Sequence, residues 1–217
     1  MRTRQETLQA ILDCGVVAVV RGESAEPVIK AIDAVLEGGV PVVEVTFTVP
    51  DALEIIRQLA RDLSDSVVLG AGTVLDAQTA RNAIAAGAQF IVSPNLNLDV
   101  VRTAIARGKV VIPGALSPTE VVAAWQAGAD LIKIFPANVM GPRYLRDLHG
   151  PLPQVQFVPT GGIDLGNAAD YIKAGAAALG VGSSLIDKNL IAAGDWEALT
   201  DRAQRFTEVI KKARESD

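Results

Sequence analysis

The chain has 217 residues, 49% of them hydrophobic, which is enough to bury a sizeable core and too apolar for intrinsic disorder. Its formal net charge of −5 gives no basic footprint and argues against a nucleic-acid partner. One cysteine, Cys14, and one histidine, His149, exclude an internal disulfide, a multi-cysteine zinc site and a two-histidine metal centre.

The first stretch, MRTRQETLQAILDCG, carries charge through its opening turns, and no run of about 18 uncharged apolar residues follows it. A soluble, cytoplasmic protein with no membrane association is therefore expected. A helix over residues 3–12 precedes the first strand. From there, β-branched apolar runs alternate with segments whose apolar residues recur at three and four. The runs are VVAVV, VPVVEVTF, SVVLGAG and AQFIVSP, then KVVIPG, DLIKIF, VQFVPTG and AAALGVG. Helical periodicity fills stretches such as PVIKAIDAVLEGG and DALEIIRQLARDL. A glycine stands repeatedly where helix gives way to strand, in EGGV, AAGAQF, ARGKV, QAGADL and KAGAAAL, as a left-handed helix stop requires. Eight such units without a linker predict an α/β fold: one (β/α)8 TIM barrel spanning residues 1–217 with an extra N-terminal helix. An open doubly wound sheet is the competing arrangement.

Two charged residues stand inside strand runs. Glu44 shares a strand face with Thr46 and Thr48, and Lys133 shares one with Phe135. In a barrel the outer strand face packs on helices and is dry, so these groups belong inside, near the C-terminal mouth. Glu44 is on the second strand and Lys133 on the sixth, opposite one another. They read either as a buried salt bridge or as a nucleophilic lysine with a carboxylate proton shuttle. The apolar Ile132, Ile134 and Phe135 favour the neutral amine that a nucleophile needs. After the seventh strand comes PTGGID, and after the eighth GVGSSLI. Glycines there let backbone N–H groups approach an anion, and these loops are the usual phosphate site of such barrels, although turns also use paired glycines. His149 reads as a surface residue before the turn GPLPQ, and Cys14 as core packing.

Taken together, EGGVPVVEVTFT, GAGTVLD, AGAQFIVSP, IPGALSPTE, LIKIFPA, PTGGI and GVGSSL resemble, in order and over nearly the whole chain, the class I aldolases that cleave 2-keto-3-deoxy-6-phosphogluconate (KDPG) or 4-hydroxy-2-oxoglutarate (KHG). The resemblance implies a Schiff-base lysine at Lys133 and a general acid/base at Glu44. It implies substrate contacts from Thr73, Pro94, Phe135 and Thr160, and a phosphate site at Gly161, Gly162, Gly182, Ser183 and Ser184. It further implies a homotrimer, a 2-keto acid and pyruvate as ligands, and neither metal nor organic cofactor. Some members carry an arginine where this chain has Thr48. Arg21, closing the first strand, is the expected substitute for holding the substrate carboxylate, with a surface salt bridge to Glu23 or Glu26 as its other reading. A phosphosugar isomerase or epimerase using Glu44 as base, and a phosphometabolite-binding barrel without catalysis, are the rival functions.

Overall fold

Nine strands and ten helices, alternating except for one pair of consecutive strands and one pair of consecutive helices, lie along residues 2–63 and 66–215, the part of the chain that the computed structural model describes. The first half runs α1 (Arg4–Cys14), β1 (Val16–Val20), α2 (Ala25–Glu37), β2 (Val42–Thr46), α3 (Ala52–Asp62), β3 (Val68–Gly72), α4 (Ala77–Ala86), β4 (Phe90–Val92), α5 (Leu98–Ala106) and β5 (Val110–Ile112). The second runs β6 (Gly114–Ala115), α6 (Pro118–Gln126), β7 (Ile132–Ile134), α7 (Ala137–His149), β8 (Phe157–Pro159), α8 (Ala168–Lys173), β9 (Leu179–Val181), α9 (Lys188–Ala193) and α10 (Trp196–Glu215). The eight expected strands become nine because Pro113, which has no N–H for a ladder, separates β5 from β6. Lys133 therefore lies on β7 in this count.

Local chemistry accounts for the helix boundaries. Thr3 and Glu6 close a capping box on α1, and Ser117 and Glu120 close one on α6. Gly39, Gly87, Gly108, Gly128 and Gly175 all have positive φ, so every glycine motif between helix and strand makes the left-handed turn expected of it. The first helix continues to Cys14, beyond the expected residue 12, until Gly15 ends it at φ 71°.

All pairings are parallel. One sheet has the order β5-β4-β3-β2-β1-β9, the other β6-β7-β8. Isolated parallel bridges, Phe157 with Ala176 and Thr160 with Gly180, join the β8 segment to the β9 segment. Strands adjacent in a sheet are adjacent in sequence, except that the first meets the last. The order never reverses, as the doubly wound alternative would require. Among the described residues no helix is long and apolar enough to cross a membrane.

Side-chain alternation divides the strands into two faces. Val43, Val45, Leu69, Ala71, Ile132 and Ile134 belong to the large cluster shared with the helices. The other face begins as a second apolar cluster of Val17, Val42, Val68, Phe90, Val110 and Leu131, joined by Ile11 of α1. Each such buried side chain contributes about 1.5–3 kcal/mol. Toward the C-terminal ends the same face turns to glycine and polar groups: Gly70, Gly72 and Gly180 among Glu44, Thr46, Lys133 and Thr160.

Gly70 is where this face is tightest. A Cβ there would overlap the ring of Phe90, which is fully buried and has no room to retreat. Gly70→Ala should destabilise the protein by about 1–3 kcal/mol. Urea denaturation would measure this, and the added change Phe90→Leu should recover part of the loss. Equal stability of wild type and Gly70→Ala would contradict the packing.

Candidate active site

Glu44 occupies the middle of β2, in register with Val19 on β1 and Gly70 on β3. Its carboxylate lies over Gly72, where any Cβ would overlap Oε1. Glycine at position 72 is thus what lets a carboxylate fold into the strand face. The group is 2% exposed, and among the described residues its Oε1 is buried without a hydrogen-bond partner. Burial pushes the Glu44 carboxyl above its ordinary value, while the charges of Lys133 and Arg21 pull against that rise.

Lys133 sits on β7 between Gly114 on β6 and Val158 on β8. It is 5% exposed, and its Nζ stands 5.1 Å from the centroid of the Phe135 ring, within cation–π range. No ion pair within 4.0 Å joins Lys133 to Glu44 among the described residues. The direct salt bridge considered from the sequence is therefore not formed. The two groups share a buried, polar end of the strand face and influence one another at longer range.

A cavity of about 500 Å³ opens at Phe135, whose ring Lys133 meets, although neither Glu44 nor Lys133 is among its lining residues. Phe135, Thr160, Gly161 and Gly162 line one side; Arg21, Gly182, Ser183 and Ser184 line another. The loops after β8 and β9 are thus brought together with the end of β1. Thr160 is 7% exposed and its hydroxyl donates to the Val158 carbonyl at 3.3 Å. Gly161 and Gly162 have φ of 97° and 70°, a turn that glycine takes without strain, and both line the cavity. Ser184 donates its hydroxyl hydrogen to the Ile163 carbonyl, which ties the two loops together and leaves the backbone as what this residue offers an anion.

Thr48, Thr73 and Pro94 stand outside the cavity lining, just beyond the ends of β2, β3 and β4. Thr46 donates to the Val20 carbonyl at 3.2 Å, so in the 2.6 Å contact between the Thr46 and Thr48 hydroxyls the hydrogen comes from Thr48. That leaves Thr48 no donor for a carboxylate. Thr73 has φ 58°, a left-handed conformation costing a β-branched residue about 1–3 kcal/mol, and such strain concentrates at functional sites. Pro94 is half-buried, and its carbonyl lies so close to Gly114 that no side chain fits there. Arg21 is exposed and has no carboxylate within 4.0 Å among the described residues; Glu26 is taken by Lys30 at 2.8 Å. The surface salt bridge considered for Arg21 is absent.

Two further expectations concern residues away from this site. His149 is not a simple surface residue: its Nε2 meets the Val155 carbonyl at 2.9 Å, its ring packs 5.1 Å from Phe157, and Gly175 makes room for it. Cys14 is packed at the core edge as expected, and burial pushes its thiol up. Sequence reasoning missed Asp164 and Lys188, both on the cavity wall. Lys188 follows GVGSSLID directly, and a cation just past a glycine-serine anion loop was the available signal. Among the described residues no group of three or more His, Cys, Asp or Glu side chains is arranged to hold a metal.

A sequence profile described as "KDPG and KHG aldolase" matches residues 8–202. The chain is 38% identical over 211 residues to 2-dehydro-3-deoxy-phosphogluconate aldolase of Treponema pallidum, covering 97% of this chain and 99% of that one. It also resembles the structure of KDPG aldolase from Legionella pneumophila with pyruvate captured as a covalent carbinolamine, at TM-score 0.85 and 28% identity, covering 91% of this chain and 96% of that one. A third likeness is to the KDPG aldolase of Zymomonas mobilis with 3-phosphoglycerate, at TM-score 0.83 and 30% identity, covering 94% and 96%.

The burial of Glu44 gives stability a pH dependence of definite sign. A carboxyl raised in the fold above 4.5 keeps a proton that the unfolded chain has already released. Its contribution therefore becomes unfavourable as pH rises through that window, a loss that Glu44→Gln escapes. Chemical denaturation across a pH series should show the variant gaining on the wild type as pH rises above the unfolded value. A difference independent of pH would mean that Glu44 ionises freely in the fold.

Proposed function

The chain belongs to the KDPG and KHG aldolase family, and we propose that it is a Schiff-base aldolase that cleaves KDPG to pyruvate and glyceraldehyde 3-phosphate, and KHG to pyruvate and glyoxylate. The observation that carries this reading is the pair Lys133 and Glu44, buried on one strand face at the C-terminal ends with no ion pair between them. A lysine and a carboxylate kept for each other's charge alone would be in contact. The bridges from β8 to β9, and the single residue between β5 and β6, support closure of the two sheets into one (β/α)8 barrel with α1 across its N-terminal end. That barrel is a single domain. Exposed apolar side chains at Trp125, Val139 and Met140 support self-association, as the homotrimer expected for the family requires.

The neutral Lys133 amine attacks the C2 ketone of a 2-keto-4-hydroxy acid and forms a carbinolamine. Glu44 in its protonated form, which burial favours, gives its proton to the departing hydroxide, and the protonated imine remains. The resulting Glu44 carboxylate takes the C4 hydroxyl proton, the C3–C4 bond breaks, and its electrons collect in the enamine while the aldehyde leaves. Protonation at C3 and hydrolysis then release pyruvate and restore the amine. The iminium is the electron sink, and the reaction needs no further group. Arg21 holds the substrate carboxylate, since Thr48 has spent its donor. Phe135 and Thr160 on the cavity wall, with Thr73 and Pro94 just beyond the ends of β3 and β4, surround the three-carbon unit. The backbone at Gly161, Gly162, Gly182, Ser183 and Ser184 receives the phosphate.

Borohydride reduction with pyruvate tests this. One three-carbon adduct should appear, located by peptide mass at Lys133, and Lys133→Ala should abolish it without loss of fold. Glu44→Gln should lower turnover about 100-fold or more while adduct still forms slowly. No adduct at saturating pyruvate, or an adduct on a different lysine, would end the Schiff-base reading and leave the isomerase.

A further inference from the structure

Three charged groups share the cavity wall: Arg21, Asp164 and Lys188. On the aldolase reading, Arg21 is occupied by the substrate carboxylate. What then faces the far end of the substrate is Asp164 and Lys188. A phosphate monoester brings a charge of about −1.5 to −2 at pH 7. With Asp164 alone that charge would meet a carboxylate and only the dipoles of the backbone. Asp164 also has another occupation, accepting from the Gly166 N–H at 2.8 Å and the Asn167 N–H at 3.1 Å to build the turn into α8. Lys188 therefore decides whether this end of the cavity attracts or repels a dianion.

Lys188 is also uncommitted. It has no carboxylate within 4.0 Å among the described residues. Its neighbour Asp187 is bound to Arg202 at 2.9 Å and caps α9 through the Asn189 N–H at 2.8 Å. Arg202 donates as well to the Ser184 carbonyl at 3.3 Å, so α10 anchors the segment from Ser184 to Asp187 and holds Lys188 at the cavity. The Lys188 side chain is exposed, and the residue begins α9 on the cavity wall.

We propose that Lys188 is the specificity-determining residue by which this chain prefers phosphorylated over unphosphorylated substrates, its ammonium engaging the terminal phosphate. The inference rests on the aldolase reading. Lys188→Gln and Lys188→Arg would be compared with wild type on KDPG and KHG, at about 0.05 and 0.5 M salt. The ratio of kcat/KM for the phosphorylated to the unphosphorylated keto acid should fall about tenfold in Lys188→Gln and be largely kept in Lys188→Arg. It should also drop with salt more steeply in wild type than in Lys188→Gln, which a merely structural role would not produce. An unchanged ratio, or equal losses on both substrates, would overturn the assignment. Calorimetric titration with 3-phosphoglycerate separates the two readings: its affinity should weaken about tenfold in Lys188→Gln whether or not the enzyme turns over. If wild type neither cleaves the keto acids nor traps pyruvate, the aldolase reading falls, while that affinity difference still decides the role of Lys188. Equal affinity would end it.

Discussion

Burying two ionisable side chains on one strand face without letting them touch is the demand around which the rest of this structure is arranged. Each charge taken out of water carries an effective penalty of several kcal/mol, and contact between Glu44 and Lys133 would be the simplest way to offset it. That contact is absent. Three other features take its place. Gly72 leaves room for the Glu44 carboxylate, burial shifts that carboxyl toward its neutral form, and Phe135 presents its ring to Lys133 Nζ. Kept apart in this way, neither side chain is tied up in an ion pair with the other, as it would be in a closed pair.

Much of this was legible in the sequence, because alternation along a strand is a strict rule. Once Glu44 and Lys133 were seen inside apolar runs, the period of two fixed which neighbours they share a face with, and the dry helix-packed side left only one place for charge. Helix ends were equally legible, since a glycine between periodic segments has few other uses. What escaped was set by tertiary contact. Nothing local distinguishes Lys188 from any solvated lysine at a helix start; its meaning comes from the loop after β8 folding against the loop after β9. The left-handed φ of Thr73 runs against the preference of a β-branched residue, so no pattern announces it. The Thr46–Thr48 hydroxyl chain needed the Val20 carbonyl, a strand away, to fix which hydroxyl donates. His149 looked exposed because Phe157 and Gly175 close on it only once β8 and the turn after α8 are folded beside α7.

The anion-binding side depends on the same economy of backbone groups. Loops rich in glycine are suited to receive a phosphate but are poor at holding their own shape. Here the shape is imposed from outside. Asn167 donates its side-chain amide to the Gly162 carbonyl at 2.8 Å, the Asn138 N–H donates to the Gly161 carbonyl at 3.1 Å, and Ser184 is tied to Ile163. Carbonyls are engaged by these contacts and turned to the scaffold. Arg202 completes the set from α10. The loops are thereby held without spending the groups that an anion needs.

The two ends of the strand face divide the work. Where Val17, Val42, Val68, Phe90, Val110 and Leu131 close over Ile11, side chains are large, apolar and fully packed, and this end contributes hydrophobic stability. Toward the C-terminal ends the same alternating positions hold glycines and buried charges, which contribute little or cost stability. The strained Thr73 and the partnerless Glu44 Oε1 both lie at this second end. A rigid, well-packed base is what allows the other end to keep two ionisable side chains buried and apart, because any relaxation that brought them together would have to disturb a core of fully buried side chains.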